Sequence, residues 1–190
     1  MSGSHGRAAW ARELRSVLNR ARPTLEWLPD HVHNLLGEVD VDAHLLTLTS
    51  DLCDAGHVHL DILLWLVGRH ELVALLVGEE HYDRGPEDVE TTFETTLNRY
   101  PLDHVTGVQV ATAAHPDGHQ LDVSLGIMIA SAGLTGHADP MTYDDPDLPS
   151  YALTAQPTSL TFTADPARTG EIVSFASAVL SARDRLLRGD

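Results

Sequence analysis

The chain has 190 residues, 43% of them hydrophobic, and a formal net charge of −16. That length and apolar content suit one domain with a real core, and they exclude a wholly disordered chain. The acid excess repels nucleic acid phosphates at long range. The absence of lysine rules out Schiff-base chemistry and lysine-containing phosphate loops.

The first 22 residues carry Arg7, Arg12, Arg15, Arg20 and Arg22 against Glu13, a local charge of +4 that leaves −20 for the rest. The expectation is a flexible basic head over 1–22 and a single acidic α+β domain over 23–190. Within the head, Trp10, Leu14, Val17, Leu18 and Ala21 recur at steps of three and four, which predicts an amphipathic helix over 8–21. Pro23 limits it, and Pro29-Asp30 reads as a turn.

Leu45, Leu46, Leu48 and Leu52 predict a second helix over 42–54, weakened by Thr47, Thr49 and Ser50. The apolar run 58–77 reads as two helical pieces broken at Gly68, with a central strand as the alternative for 58–67. Asp61 and Arg69-His70-Glu71 interrupt it, so it does not form a membrane span. Gly85-Pro86 opens a further predicted helix, striped by Val89, Phe93, Leu97 and Tyr100 and stopped by Pro101.

The period then changes to two. Val108, Val110 and Thr112, then Leu121, Val123, Leu125, Ile127 and Ile129, alternate with small or polar residues around His115-Pro116-Asp117-Gly118. This predicts an antiparallel hairpin with one wet face. An acidic loop over 133–150, a strand over 158–163 and a helix over roughly 170–187 complete the chain. The helix is introduced by Asp165-Pro166 or capped by Thr169, and its buried stripe is Ile172, Phe175, Val179 and Leu186. The expected class is α+β, with N-terminal helices packed on a small antiparallel sheet and a closing C-terminal helix.

Three clusters carry donor chemistry. Cys53, His57, His59 and Asp61 are zinc-type ligands. On a strand His57 and His59 share a face and can grip one ion, whereas on a helix they diverge; His31 and His33 repeat the His-Val-His pattern. Glu79, Glu80 and His81 are candidates for a general acid or base. Asp139, Asp144, Asp145 and Asp147 are carboxylates in a proline-rich loop without calcium-loop spacing, and read as a partner-facing surface.

The leading functional expectation is an acidic accessory, regulatory or immunity-like protein that steers a basic protein partner. Asp139, Asp144, Asp145, Asp147, Arg12 and Arg15 are its interaction candidates. A homodimer through the N-terminal helix or a sheet edge is compatible with it. The alternatives are a small zinc-dependent hydrolase built on the Cys53 cluster, and a small-molecule-binding or cyclase-like domain with Trp65 and Tyr82 lining its pocket. A single cysteine and no apolar signal core point to the cytoplasm.

Overall fold

A computed structural model describes residues 3–37, 39–52, 56–83, 89–130, 135–137, 152–154 and 158–189. Helices and antiparallel sheets combine in an α+β arrangement with helices at both ends, as the class expectation held. Helix α1 (Gly3–Ala21) leads through a 3-10 turn to α2 (Leu28–Leu36). Strands β1 (Val41–Leu52), β2 (Val58–Gly68), β3 (Glu71–Asp83) and β4 (Val89–Pro101) form a four-stranded meander. Strands β5 (Val105–Ala114), β6 (Gln120–Ile129) and β9 (Thr158–Ala164) form a second sheet. A short ribbon of β7 (Thr135–His137) and β8 (Ala152–Thr154) lies between β6 and β9 in the chain. Helix α3 (Thr169–Arg188) closes the fold.

The meander is the central layer, with a core on each face. On one side Trp10, Leu14 and Leu18 of α1 and Leu28, Val32 and Leu36 of α2 cover Leu46, Leu60, Ile62, Leu64, Leu66, Val73, Leu75 and Val77. On the other side Leu45, Trp65, Val67, Leu72 and Ala74 meet Val123, Leu125, Ile127 and Phe162 of the second sheet and Ile172, Phe175 and Val179 of α3. Trp65 sits at the centre of that second core, 5.6 Å from the Phe162 ring and 6.4 Å from Phe175. It is a packing residue there, not a pocket wall as expected.

This double burial corrects three helix expectations. The segments 42–54, 58–77 and 86–100 are mainly the strands β1 to β4. A strand covered on both faces loses its polar alternation and reads as a continuous apolar run, which periodicity cannot separate from a buried helix. In β4, Phe93 and Leu97 are four apart, an interval that keeps one face in a strand as well as in a helix. The β-branched Thr91, Thr92, Thr95 and Thr96 favour the strand. Pro29 corrects the turn expectation, since it occupies the first turn of α2, where a missing N–H costs nothing.

The remaining elements follow their patterns. The β5–β6 turn is closed by Gly118 N–H to the His115 carbonyl at 2.8 Å, with Gly118 at φ 87. The Asp117 carboxylate accepts from the His119 N–H at 2.9 Å. The Asp165 carboxylate accepts from Ala167 N–H at 2.7 Å and caps the 3-10 turn that opens α3. Arg168 then ties this corner to the meander. It makes two bonds to Glu171, at 2.6 and 2.7 Å, and donates to Thr47 Oγ1 at 2.9 Å. The Glu171 bonds hold its proton more tightly than usual.

Candidate functional site

Ladder pairing between β2 and β3 runs only from Val67↔Leu72 to Asp61↔Gly78. β1 and β2 stay paired out to Leu52↔Val58, and β3 and β4 out to Asp83↔Val89. The sheet therefore splits at this end into two hairpins, and unpaired backbone groups face the gap. Imidazoles fill the missing hydrogen bonds. His59 Nδ1–H donates to the Glu79 carbonyl at 2.7 Å, and His81 Nε2–H donates to the Val58 carbonyl at 3.3 Å. On its other side, His81 Nδ1 lies within hydrogen-bond reach of Thr91 Oγ1, at 3.2 Å. The His57 and His59 rings lie 5.1 and 4.5 Å from the His81 ring.

Under this cluster lies Glu79, the buried polar residue of the described core. Its position follows from strand parity, because Val73, Leu75, Val77 and Glu79 alternate onto the α1 side. Arg22, just past the end of α1, donates to its Oε1, and His81 Nε2 stands 3.5 Å from the same oxygen. The other oxygen, Oε2, is buried without a partner among the described residues. Burying a carboxylate is costly unless it is paired, and Arg22 supplies the pairing guanidinium.

The structure thus gathers His57 and His59 from one expected cluster with Glu79 and His81 from another. Glu80 and Asp61 are not part of the group. Asp61 shares the His59 face of β2 but sits inside the paired ladder opposite Gly78, away from Glu79, and Glu80 points to the side of β3 opposite Glu79 and is exposed. Cys53 and the Asp139, Asp144, Asp145 and Asp147 set lie outside the described residues, as does the Tyr82 side chain. Among the described residues no three of His, Cys, Asp and Glu are arranged to hold a metal ion. His59 Nδ1 and both His81 ring nitrogens serve the backbone and Thr91 instead of converging on one point. Arg12 is exposed, and Arg15 forms a surface pair with Asp30 at 2.9 Å. Pairing of Arg22 with Glu79 across 57 positions is the feature sequence reading missed.

A second surface is defined by register. Directly paired residues of an antiparallel sheet point to the same side. On the α3 side of the meander, the row Leu45–Trp65–Ala74 is buried. The next row is Thr47–Leu63–Leu76–Thr96, followed by Thr49–Asp61–Gly78–Glu94. Coverage by α3 ends at the Thr47 row, where Arg168 sits, and Leu76 is 46% exposed. Asp51 and Glu80 extend the same face toward the hairpin ends and are exposed. The open half of the sheet therefore presents Asp51, Asp61, Glu80 and Glu94 around an apolar centre of Leu63 and Leu76.

Compared with known protein families, curated proteins and solved structures, the chain matches none of them. No helix among the described residues is long and apolar enough to cross a membrane.

Proposed function

We propose that this chain is an accessory or regulatory protein that binds a basic protein partner on the open half of its four-stranded sheet. The observation that carries the reading is the face of Asp51, Asp61, Glu80 and Glu94 around half-exposed Leu76, on a chain of net charge −16. Carboxylates at the rim steer a cationic partner and set its register, while an apolar centre supplies contact area. The matching partner segment carries Arg or Lys around one or two apolar side chains.

The test uses a synthetic amphipathic peptide of alternating Arg and Leu. Neutralising Asp61, Glu80 and Glu94 together (D61N, E80Q, E94Q) is expected to weaken its binding about tenfold, with the wild-type affinity falling steeply with salt. The same charge change at Asp103, Asp117 and Asp184, which lie off this face, is expected to cost less than about threefold. Equal losses in the two triple variants would reduce the effect to overall charge and sink the docking face.

The alternative is a metal-dependent hydrolase. The feature in its favour is the buried Glu79 carboxylate beside His81, with His59 bonded to the Glu79 backbone carbonyl. Stoichiometric zinc in protein purified without a tag, lost in both His57→Ala and His59→Ala, would turn the assignment toward it.

A further inference from the structure

A cavity of about 220 Å³ lies between the two N-terminal helices and the sheet, lined by Trp10, His33, Asn34, Leu36, Val39 and Leu66. It exists because of how α2 ends. Gly37 takes a left-handed φ of 65 and its N–H bonds the His33 carbonyl at 3.0 Å. The chain turns away there before Val39 re-enters the core, so no side chain occupies the corner between Trp10 and Leu66. Arg99 holds the corner from outside by donating to the Leu36 carbonyl. Native interiors seldom leave voids larger than a water molecule, and a dry apolar void of about 150 Å³ takes up benzene.

The lining also carries polar groups open to a ligand, with His33 and Asn34 exposed at its mouth. Among the described residues, no hydrogen bond engages the Trp10 indole N–H, the His33 ring nitrogens or the Asn34 amide. Trp10 is only 3% exposed, so most of its ring forms a fixed wall of the cavity. Trp10 and His33 are stacked, with ring centroids 6.3 Å apart and planes 27° from parallel. Flat aromatic walls favour a flat partner, and an unengaged donor favours an acceptor on it.

We infer that this cavity is a binding site for a small planar aromatic molecule carrying one hydrogen-bonding group. Scaled from the benzene-sized void, the volume suits about nine heavy atoms. An uncharged ligand avoids the repulsion that this acidic chain exerts on anions. The site lies on the α1 side of the meander, opposite the proposed docking face, and does not depend on it.

The probe is benzamide, with cyclohexanecarboxamide as a partner of equal size that is not flat. Titration is followed in ¹H–¹⁵N spectra of the full chain. Saturable shifts are expected at the Trp10 indole, His33, Asn34, Leu36 and Gly37, with a dissociation constant of about 1 mM for a ligand this small. Cyclohexanecarboxamide is expected to bind at least about fivefold more weakly, since it cannot stack. Val39→Phe fills the void and abolishes the shifts. Asn34→Ala, at an exposed helical position, keeps the void and weakens binding about threefold to tenfold. The inference is overturned if benzamide produces no saturable shifts at the lining. It is equally overturned if both probes bind alike, or if a folded Val39→Phe chain or the Asn34→Ala chain binds as well as wild type.

Discussion

Removing the Arg22 side chain isolates the tie between α1 and the sheet. The Glu79 side chain is 1% exposed and that of Arg22 34%, so the pair is buried at one end and wet at the other. Arg22→Ala leaves a buried carboxylate whose remaining cationic neighbour, when protonated, is His81 at 3.5 Å, and one of whose oxygens is already unpartnered. Breaking a fully buried pair by deleting one partner costs about 3–5 kcal/mol. Water entering the vacated, one-third-open Arg22 site offsets part of that, which leaves about 2–3 kcal/mol. With a urea dependence of about 2 kcal/mol per molar, the denaturation midpoint falls by about 1–1.5 M. Glu79→Leu acts differently. It removes the buried charge, keeps apolar volume in the core, and releases Arg22 to solvent, so its cost is about 1 kcal/mol or less. The double variant resembles Glu79→Leu, giving a coupling energy of about 2 kcal/mol in the cycle. The assay is urea unfolding followed by circular dichroism and by tryptophan fluorescence. If Arg22→Ala unfolds within about 0.3 M of wild type, or if Glu79→Leu is the more damaging change, the reasoning fails.

Other outcomes follow from specific contacts. A Cβ on Gly68 would stand 2.7 Å from the Asp40 carbonyl oxygen, whereas one on Gly107 would meet the flexible end of Met128. Gly68→Ala is therefore expected to cost about 1–3 kcal/mol and Gly107→Ala less than about 0.5 kcal/mol, both read as urea midpoints. Phe175→Ala empties the space beside Trp65 and should cost about 3–5 kcal/mol, with a shift in tryptophan emission. Burial pushes the Tyr100 phenol above its ordinary value of 10.0. The unfolded chain then releases that proton first, so stability declines as pH rises through the ordinary phenol range and onward to the folded value. Alkaline absorbance titration should show one late-ionising tyrosine that disappears in Tyr100→Phe.

Elements with one wet face were legible from their residues. The stripe of Trp10, Leu14 and Leu18, the alternation of Val123, Leu125, Ile127 and Ile129, and the stripe of Ile172, Phe175 and Val179 each contrast with a polar side. Turn chemistry at His115-Pro116-Asp117-Gly118 and capping at Asp165 are local, needing only neighbours in the chain. The strand nature of β2 and β3 was not legible. Leu64, Trp65, Leu66, Val67, Leu72, Val73, Ala74 and Leu75 are apolar on both faces because helices cover one side and α3 with the second sheet covers the other. A residue pattern records burial, and burial on two sides erases the period that separates strand from helix.

The candidate site divides the same way. Sequence proposed His57 with His59, and Glu79 with His81, as separate groups, and a strand at 58–67 was the stated condition for the first pair to cooperate. Tertiary structure joined the two groups, because β2 and β3 part beyond Asp61↔Gly78 and their imidazoles bridge the gap. It also chose Arg22 as the partner of Glu79, placed a void behind Gly37, and left half of one sheet face open. By itself the sequence determined the charge of the surface, the class of the fold and the elements that meet water, since composition and one-sided periodicity are properties of the chain. Which carboxylates share a face, which cation neutralises the buried one and where packing leaves space depend on strand register and layer coverage. Those are settled only when segments far apart in sequence are brought together.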